Sequence, residues 1–204
     1  MRRNIFVTFT LFFFLVLFAG CDSGPKISPL DQAAVVLAFG DSLTRGTGAA
    51  AGQSYPDGLS QLLGRPVINV GVPGEVSSAG LKRLPGMLDA HKPTLVVLCH
   101  GGNDFLRRLD QEGTIRNLTA MVEMIRARGA DVVLIGVPKL GFGLKVPTFY
   151  ATLAEEQGIP FEGEILVDLL GDNSVKSDEI HPNATGYRLM AEAIHAVITK
   201  AQRK

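Results

Sequence analysis

Residues 35–43 read Val-Val-Leu-Ala-Phe-Gly-Asp-Ser-Leu, and this stretch decides the fold. Its first five residues form an apolar run, Val35 to Phe39, which predicts a strand buried on both faces, as in a parallel sheet. Directly after the strand, Gly40 to Leu43 presents a serine at the carboxyl end. A serine hydroxyl becomes a good nucleophile only when an imidazole removes its proton, so this reading requires a suitably placed histidine elsewhere in the chain.

The same apolar, β-branched pattern recurs four more times, and helical patterns separate the runs. The further predicted strands are residues 67–70, 95–99, 132–137 and 165–169, and the predicted helices are 54–63, 77–90, 114–128, 146–157 and about 184–200, the last with Asn183 as its N-cap. This alternation predicts the α/β class. Specifically, we expect a three-layer α/β/α sandwich, flavodoxin-like, with a five-stranded parallel sheet.

Polar residues suited to catalysis follow the predicted strands. Ser42 lies after the first strand, Gly74 beyond the second and Asn103 after the third, while Asp178 and His181 lie beyond the fifth. Because open parallel sheets bind ligands at the carboxyl ends of their strands, we expect these residues to cluster in one site.

Four blocks in this order resemble those of the SGNH, or GDSL, hydrolase family, closest to its thioesterase I/lysophospholipase/arylesterase branch. The matching blocks are residues 40–44, 69–74, 101–104 and 178–183. The resemblance spans the whole predicted domain and implies a serine ester hydrolase that needs no cofactor. A lone Gly-Asp-Ser tripeptide would be weak support, whereas four ordered blocks at strand ends are specific.

The resemblance implies a role for each residue of these blocks. Ser42 would be the nucleophile, His181 its general base and Asp178 the carboxylate that orients the imidazole. The backbone N–H groups of Ser42 and Gly74 and the side-chain amide of Asn103 would form the oxyanion hole. For each of these residues a cap or turn role is the alternative, and Gly71 competes with Gly74.

Other polar candidates receive lesser roles. We expect Asp41 to orient the turn before Ser42, and Cys99 to be a small buried thiol inside a strand. The remaining histidines are expected at the surface or the edge of the core, with His100 the one most suited to line the pocket. Ligand spacing is lacking for a metal site, so none is predicted.

The N-terminus predicts export and membrane attachment. Residues 1–20 combine Arg2 and Arg3 with an apolar stretch, which is typical of a signal peptide. Small residues before Cys21 resemble the lipobox of bacterial lipoproteins, which implies lipidation of Cys21, with a conventional signal peptide or a retained anchor as alternatives. We therefore expect a tether over residues 21–32 and a hydrolase domain over 33–204. Asp22 slightly favours the periplasmic face of an inner membrane.

Substrate and partners are less constrained by the sequence. Leu140, Phe142 and Leu144 lie in a loop rich in glycine that either lines an acyl groove or packs over the sheet edge. The expected substrate is a small acyl ester, thioester or lysophospholipid. A carbohydrate or peptidoglycan O-acetyl esterase and a non-catalytic binding lipoprotein are the alternatives. With 20 basic and 20 acidic residues, the composition gives no sign of nucleic-acid binding, and we expect a monomer.

Overall fold

The computed structural model describes residues 24–141 and 143–202. Five parallel strands form one sheet in the order β2-β1-β3-β4-β5, which is the flavodoxin-like order predicted. The strands are β1 Val36–Gly40, β2 Val67–Asn69, β3 Leu95–Cys99, β4 Asp131–Ile135 and β5 Phe161–Glu162. The helices are α1 Ser42–Arg45, α2 Tyr55–Leu63, α3 Ser77–His91, α4 Gly102–Leu106, α5 Gln111–Ala127, α6 Phe149–Gln157, α7 Ile165–Gly171 and α8 Ala184–Gln202.

Helices cover both faces of the sheet because its central strands are apolar throughout. Every residue of β1 and β3 is buried, so these strands need a partner on each side. Helix α2 packs against α8, and α3 packs against α5. The predicted three-layer sandwich is therefore confirmed. Asn183 caps α8 as expected, because its Oδ1 accepts from the N–H groups of Thr185 (3.0 Å) and Gly186 (3.1 Å).

The predicted fifth strand over residues 165–169 is wrong, because this segment forms helix α7. Leu166, Leu169 and Leu170 are buried, a spacing that places them on one face of a helix. The Glu162 side chain starts this turn by accepting from the N–H groups of residues 164 and 165, both at 2.8 Å. The fifth strand is instead the two-residue β5, which pairs with the end of β4. Short apolar runs are ambiguous between strand and helix, and here the polar Asp168 faces away from the core.

Register brings the carboxyl ends of the central strands level with one another. Gly40 pairs with Cys99, and Cys99 pairs with Ile135. From β1 the chain adds β2 on one side and then β3 on the other, so the strand order reverses between β1 and β3. Ligands bind at this switch point in such sheets. The loops that carry Ser42 and Asn103 leave the sheet on either side of this point.

The predicted tether lies partly on the domain. Ile27 is buried and donates its N–H to the Ala201 carbonyl at 3.3 Å. Ser28 donates its N–H to Asp131 Oδ2 at 2.6 Å. Residues 1–20, Cys21 and Asp22 lie outside the described residues, as does Phe142. Across 24–141 and 143–202, no helix combines the length and apolar character that crossing a bilayer requires.

Candidate active site

Ser42 occupies the first position of a single helical turn directly after β1. Asp41 caps this turn, since its Oδ1 accepts from the Leu43 N–H at 3.0 Å. Asn69, the last residue of β2, braces the turn by donating its amide to the Thr44 carbonyl at 2.9 Å. The serine is thus held by both neighbouring strands, and Asn69 contributes to the site in a way that sequence reasoning missed.

His181 lies against Ser42 although 139 residues separate them. Its Nε2 is 3.0 Å from Ser42 Oγ, and its Nδ1 is 2.8 Å and 3.0 Å from the two carboxylate oxygens of Asp178. An ionised carboxylate only accepts hydrogen bonds, so Nδ1 carries the proton and Nε2 is left to accept from the serine hydroxyl. The structure therefore brings together the three residues predicted as nucleophile, base and orienting carboxylate.

The loop that carries Asp178 and His181 is tightly cross-linked. Asp178 Oδ1 also accepts from the His181 N–H at 2.9 Å, and the Ser177 N–H donates to the His181 carbonyl at 2.9 Å. Burial raises the Asp178 pKa, but hydrogen bonds from His181 and from the backbone outweigh burial and hold it below its usual value. On the far side, Tyr187 of α8 donates its hydroxyl to the Thr47 carbonyl at 2.8 Å, which ties the helix to the loop after Ser42.

Asn103 stands beside the serine on the first turn of α4. Its amide nitrogen donates to Asp41 Oδ2 at 3.0 Å and to the Glu75 carbonyl at 3.1 Å. An amide group has two hydrogens, so donation to an oxyanion would require one of these bonds to be shared or exchanged. Burial is the main cause that raises the Asp41 pKa, opposed by nearby His100 and by bonds from Leu43 and Asn103.

Gly74 directly precedes Glu75, whose carbonyl accepts from the Asn103 amide. Its carbonyl accepts from Arg107 Nη2 at 2.8 Å, which fixes the loop against α4. Gly71, the competing glycine, already donates its N–H to Asn69 Oδ1 at 3.0 Å. Gly74 is therefore the better placed of the two for an oxyanion hole.

His100 differs from its expected place. Its side chain is fully buried and does not line the cavity at Ser42, so the expectation that His100 is the histidine most suited to line the pocket is wrong. Its Nδ1 accepts from the Gly101 N–H at 3.0 Å, and its Nε2 lies 3.2 Å from Glu75 Oε2. Cys99 is buried as predicted, and burial is the main cause that raises its pKa.

A cavity of about 230 Å³ opens beside Ser42 and Asn103. Its lining combines polar groups with apolar side chains, which include the predicted Leu140, whereas Leu144 does not line it. The walls that sequence reasoning missed are Leu43, Phe105, Leu106, Val137, Leu170 and Ile180, together with the cation Arg108. The adjacency of Phe105 and Leu106 to Asn103 was a usable signal for two of them. Leu170 was not recognisable, because its segment resembles a strand.

Among residues 24–141 and 143–202, no group of three His, Cys, Asp or Glu side chains could hold a metal ion. The groups gathered around Ser42 are its own hydroxyl, the His181 imidazole, the Asp178 carboxylate and the Asn103 amide. These are the groups that a two-step acyl transfer uses.

The chain is similar in sequence and in fold to known proteins. Residues 38–189 match the GDSL-like lipase/acylhydrolase family. Over 127 residues the chain is 34% identical to esterase TesA of Pseudomonas aeruginosa, covering 60% of this chain and 63% of that protein, which is slightly less than two thirds of its length. It is 30% identical to the arylesterase of Vibrio mimicus over 81% of this chain and 88% of the relative.

Two further comparisons agree. The thioesterase 1/protease 1/lysophospholipase L1 of Escherichia coli is 28% identical over 77% of this chain and 79% of that protein. A crystal structure of TesA superposes with a TM-score of 0.73 at 26% identity, covering 82% of this chain and 99% of the other. The family match spans well over half of the chain and includes Ser42, Asn103 and His181. The chain belongs to the GDSL-like lipase/acylhydrolase family of serine ester hydrolases.

Proposed function

We propose that this enzyme hydrolyses small carboxylic esters or thioesters through an acyl-enzyme intermediate on Ser42. The observation that carries the proposal is the 3.0 Å contact from Ser42 Oγ to His181 Nε2, with Nδ1 of the same ring on Asp178. This relay lets the imidazole accept the serine proton while the carboxylate stabilises the imidazolium that forms.

The reaction then proceeds in two steps. Ser42 Oγ attacks the carbonyl carbon, and its proton moves to His181 Nε2. The oxyanion is held by the backbone N–H groups of Ser42 and Gly74 and by the Asn103 amide, and His181 returns the proton to the leaving oxygen or sulfur. Water, activated by the same imidazole, releases the acid and restores the serine.

The apolar side chains of the cavity support an acyl chain as the group bound beside the serine. Leucine, phenylalanine and valine side chains can contact its methylene groups, which favours acyl esters, thioesters or lysophospholipids over glycan acetates. Leu140 contributes to this wall, and we propose Phe142 as a further contact because it lies two residues away in the same loop. Leu144, which does not line the cavity, is set aside.

The test of the activity uses a matched pair of serine variants. Ser42→Ala should lose hydrolysis of p-nitrophenyl butyrate by at least about 10³-fold and should no longer react with a fluorophosphonate. Ser28→Ala, at an exposed serine far from His181, should behave as the parent. Equal activity of Ser42→Ala and the parent would overturn the assignment, and acetate release from acetylated glycans at a higher rate than butyrate release would favour the O-acetyl esterase.

We further propose that Cys21 is lipidated after cleavage of residues 1–20, so that a monomeric enzyme is held at the periplasmic face of a membrane. The proposal rests on the arginines, the apolar stretch and the small residues before Cys21. Metabolic labelling with a palmitate analogue should mark the parent and not Cys21→Ala. Label that persists in the variant would contradict it.

A further inference from the structure

A network of three side chains, Arg83, Glu75 and His100, lies behind the proposed oxyanion hole. Arg83 of α3 holds the Glu75 carboxylate with two hydrogen bonds, from Nε at 2.8 Å and Nη2 at 2.7 Å. His100 Nε2 lies 3.2 Å from the same carboxylate. The exposed fraction of the side chain is 22% for Arg83, 7% for Glu75 and zero for His100. A fixed, water-poor ion pair of this kind restrains the backbone to which it is attached.

The network of Arg83, Glu75 and His100 is connected to two proposed donors of the oxyanion hole, Gly74 and Asn103. Glu75 directly follows Gly74, and the Glu75 carbonyl accepts from the Asn103 amide at 3.1 Å. His100 lies at the end of β3, and its Nδ1 accepts from the N–H of Gly101, two residues before Asn103. The loop with Gly74 and the loop with Asn103 are therefore joined through Glu75 and His100.

The tautomer of His100 follows from these bonds. Because Nδ1 accepts from a backbone N–H, the ring proton lies on Nε2 and is donated to Glu75. Packing holds the ring in place: it lies against Phe39 with ring centroids 6.0 Å apart, and Arg83 lies 4.2 Å above the same Phe39 ring. The imidazole acts here as a rigid link between two loops, with no contact to the cavity.

We propose that Glu75 and His100 are positioning residues for the oxyanion hole. They act through the Glu75 peptide, which holds the Asn103 amide and the neighbouring Gly74 N–H in the geometry that a tetrahedral intermediate needs. Pre-oriented donors stabilise the transition state because they need not reorganise as charge develops. This inference rests on the proposed function of Ser42 and extends it to a layer of residues that does not touch substrate.

A purely structural role would have a different signature. If the ion pair only stabilised the fold, its loss would lower the unfolding temperature and leave kcat of the folded protein unchanged. If it positions the donors, kcat falls with little change in KM, and affinity for an oxyanion mimic falls in parallel. The variants therefore separate the two roles.

The experiment compares His100→Leu and Glu75→Gln with Leu118→Ala, a variant at a fully buried position of α5. All are assayed well below their unfolding temperatures, with p-nitrophenyl butyrate and with butaneboronic acid, whose adduct with serine is tetrahedral. We expect kcat to fall about 10-fold or more in the first two, KM to stay within about twofold, and the boronate inhibition constant to rise by the same factor as kcat falls. Leu118→Ala should keep kcat and the inhibition constant.

Unchanged kcat in folded His100→Leu and Glu75→Gln would overturn the positioning role. A rise in KM at constant kcat would do the same, since it indicates lost substrate binding instead. Failure of the proposed function looks different, because then boronate would not bind the parent and Ser42→Ala would remain active.

A second inference comes from where the chain enters the domain. Gly24, Pro25 and Lys26 lie in a groove with Ala201 and Pro160, and Ser28 is bonded to Asp131, the first residue of β4. This is the amino end of the sheet. The cavity at Ser42 lies at the other end, where Val137 and Pro138 follow β4.

The two ends are far apart compared with the reach of the N-terminal segment. From Asp131 to Val137 an extended chain rises about 20 Å, at roughly 3.3 Å per residue. Gly24 lies three positions after Cys21, and three residue-to-residue steps span at most about 11 Å. A globule of about 180 residues is roughly 40 Å across. An anchor at Cys21 therefore cannot reach around the domain to the cavity.

We infer that the anchored enzyme presents its active site away from the membrane that holds it. Its substrates are then soluble esters, or esters on molecules that approach from the opposite side, and not lipids of the anchoring leaflet. The inference rests on the proposed anchor at Cys21. It holds equally for a retained N-terminal segment, since the same residues 24–28 lead the chain into the domain.

The test places fluorophores at two ends of the lipid-modified full chain in phosphatidylglycerol vesicles that carry a head-group quencher. A fluorescent phosphonate marks Ser42, and Lys200→Cys, beside the Gly24 groove, carries a maleimide dye. We expect strong quenching at Lys200→Cys and weak quenching at Ser42. Strong quenching at Ser42 would overturn the orientation, whereas missing phosphonate label or failure to float with vesicles would instead contradict the active site or the anchor.

Discussion

Asp104 should contribute to stability through a cap that it provides to another helix. Helix α3 begins after Val76, which has no capping side chain. Asp104 of α4 replaces the missing cap: its Oδ2 accepts from the Ser77 N–H at 2.8 Å, and its Oδ1 accepts from Ser77 Oγ at 2.5 Å. The carboxylate is 2% exposed. We therefore expect Asp104→Asn to destabilise the protein although it preserves shape.

The magnitude follows from the bonds lost. The two hydrogen bonds reach different oxygens of the Asp104 carboxylate, so an asparagine keeps an acceptor at only one of these positions and places its NH₂ group at the other. Losing one hydrogen bond to a charged group costs about 1.5–3 kcal/mol, and losing a negative charge at a helix N-terminus adds roughly 0.3–1 kcal/mol. The free energy of unfolding should fall by about 2–4 kcal/mol, which for a domain of this size lowers the unfolding temperature by roughly 5–15 °C.

The assay is urea unfolding at pH 7, followed by circular dichroism, with Asp110→Asn as the matched control. Asp110 caps α5 at the surface, where its Oδ2 accepts from the Gly113 N–H at 2.8 Å. Asparagine caps helices about as well as aspartate, so this change should alter stability by less than about 0.5 kcal/mol. If Asp104→Asn lost no more than Asp110→Asn, the capping argument would be refuted.

Three further outcomes are expected. Asp178→Asn should lower kcat by at least about 10²-fold, because His181 would lose the partner that fixes its tautomer. Esterase rates measured over a range of substrate concentrations give kcat, and a kcat equal to that of the parent would contradict this role. Gly48→Ala should lower kcat, because a Cβ there would overlap Ser177 Oγ and displace the loop that carries His181. The control Gly52→Ala has a similar positive φ but open space around its Cβ, so its kcat should not change. Equal kcat values in the two variants would contradict the role given to the overlap with Ser177. Burial raises the Glu75 pKa, but hydrogen bonds from Arg83 and His100 and the charge of Arg83 outweigh burial and bring it to about 2. The stabilisation by the Glu75 carboxylate is therefore fully present above about pH 4.5 and disappears as pH falls through about 2. The stability lost in Glu75→Gln should be on the order of 3 kcal/mol at pH 7 and below about 1 kcal/mol at pH 2, and a pH-independent difference would argue against it.

The local pattern of the chain was sufficient for the fold and for the residues at Ser42. Apolar runs such as Leu95–Cys99 predict buried parallel strands because both faces must be covered, and polar residues placed just after them predict a site at the strand ends. The three residues of the relay were chosen on the same basis, with the family resemblance assigning their roles. Their distances could not be predicted, since Ser42 and His181 meet only when α8 and two loops pack together.

What the sequence determined by itself was the α/β class, the first four strands and the chemical groups at the ends of the strands, because burial and period are local signals. Tertiary structure decided which way residues 165–171 fold, where His100 points, and which loops Glu75 and Asp104 hold together. The contacts of His100, Glu75 and Asp104 join residues 25 or more positions apart. The conformation of residues 165–171 depends on which of two locally similar conformations buries more apolar surface. Such contacts form only in the packed domain, so no local pattern in the chain encodes them.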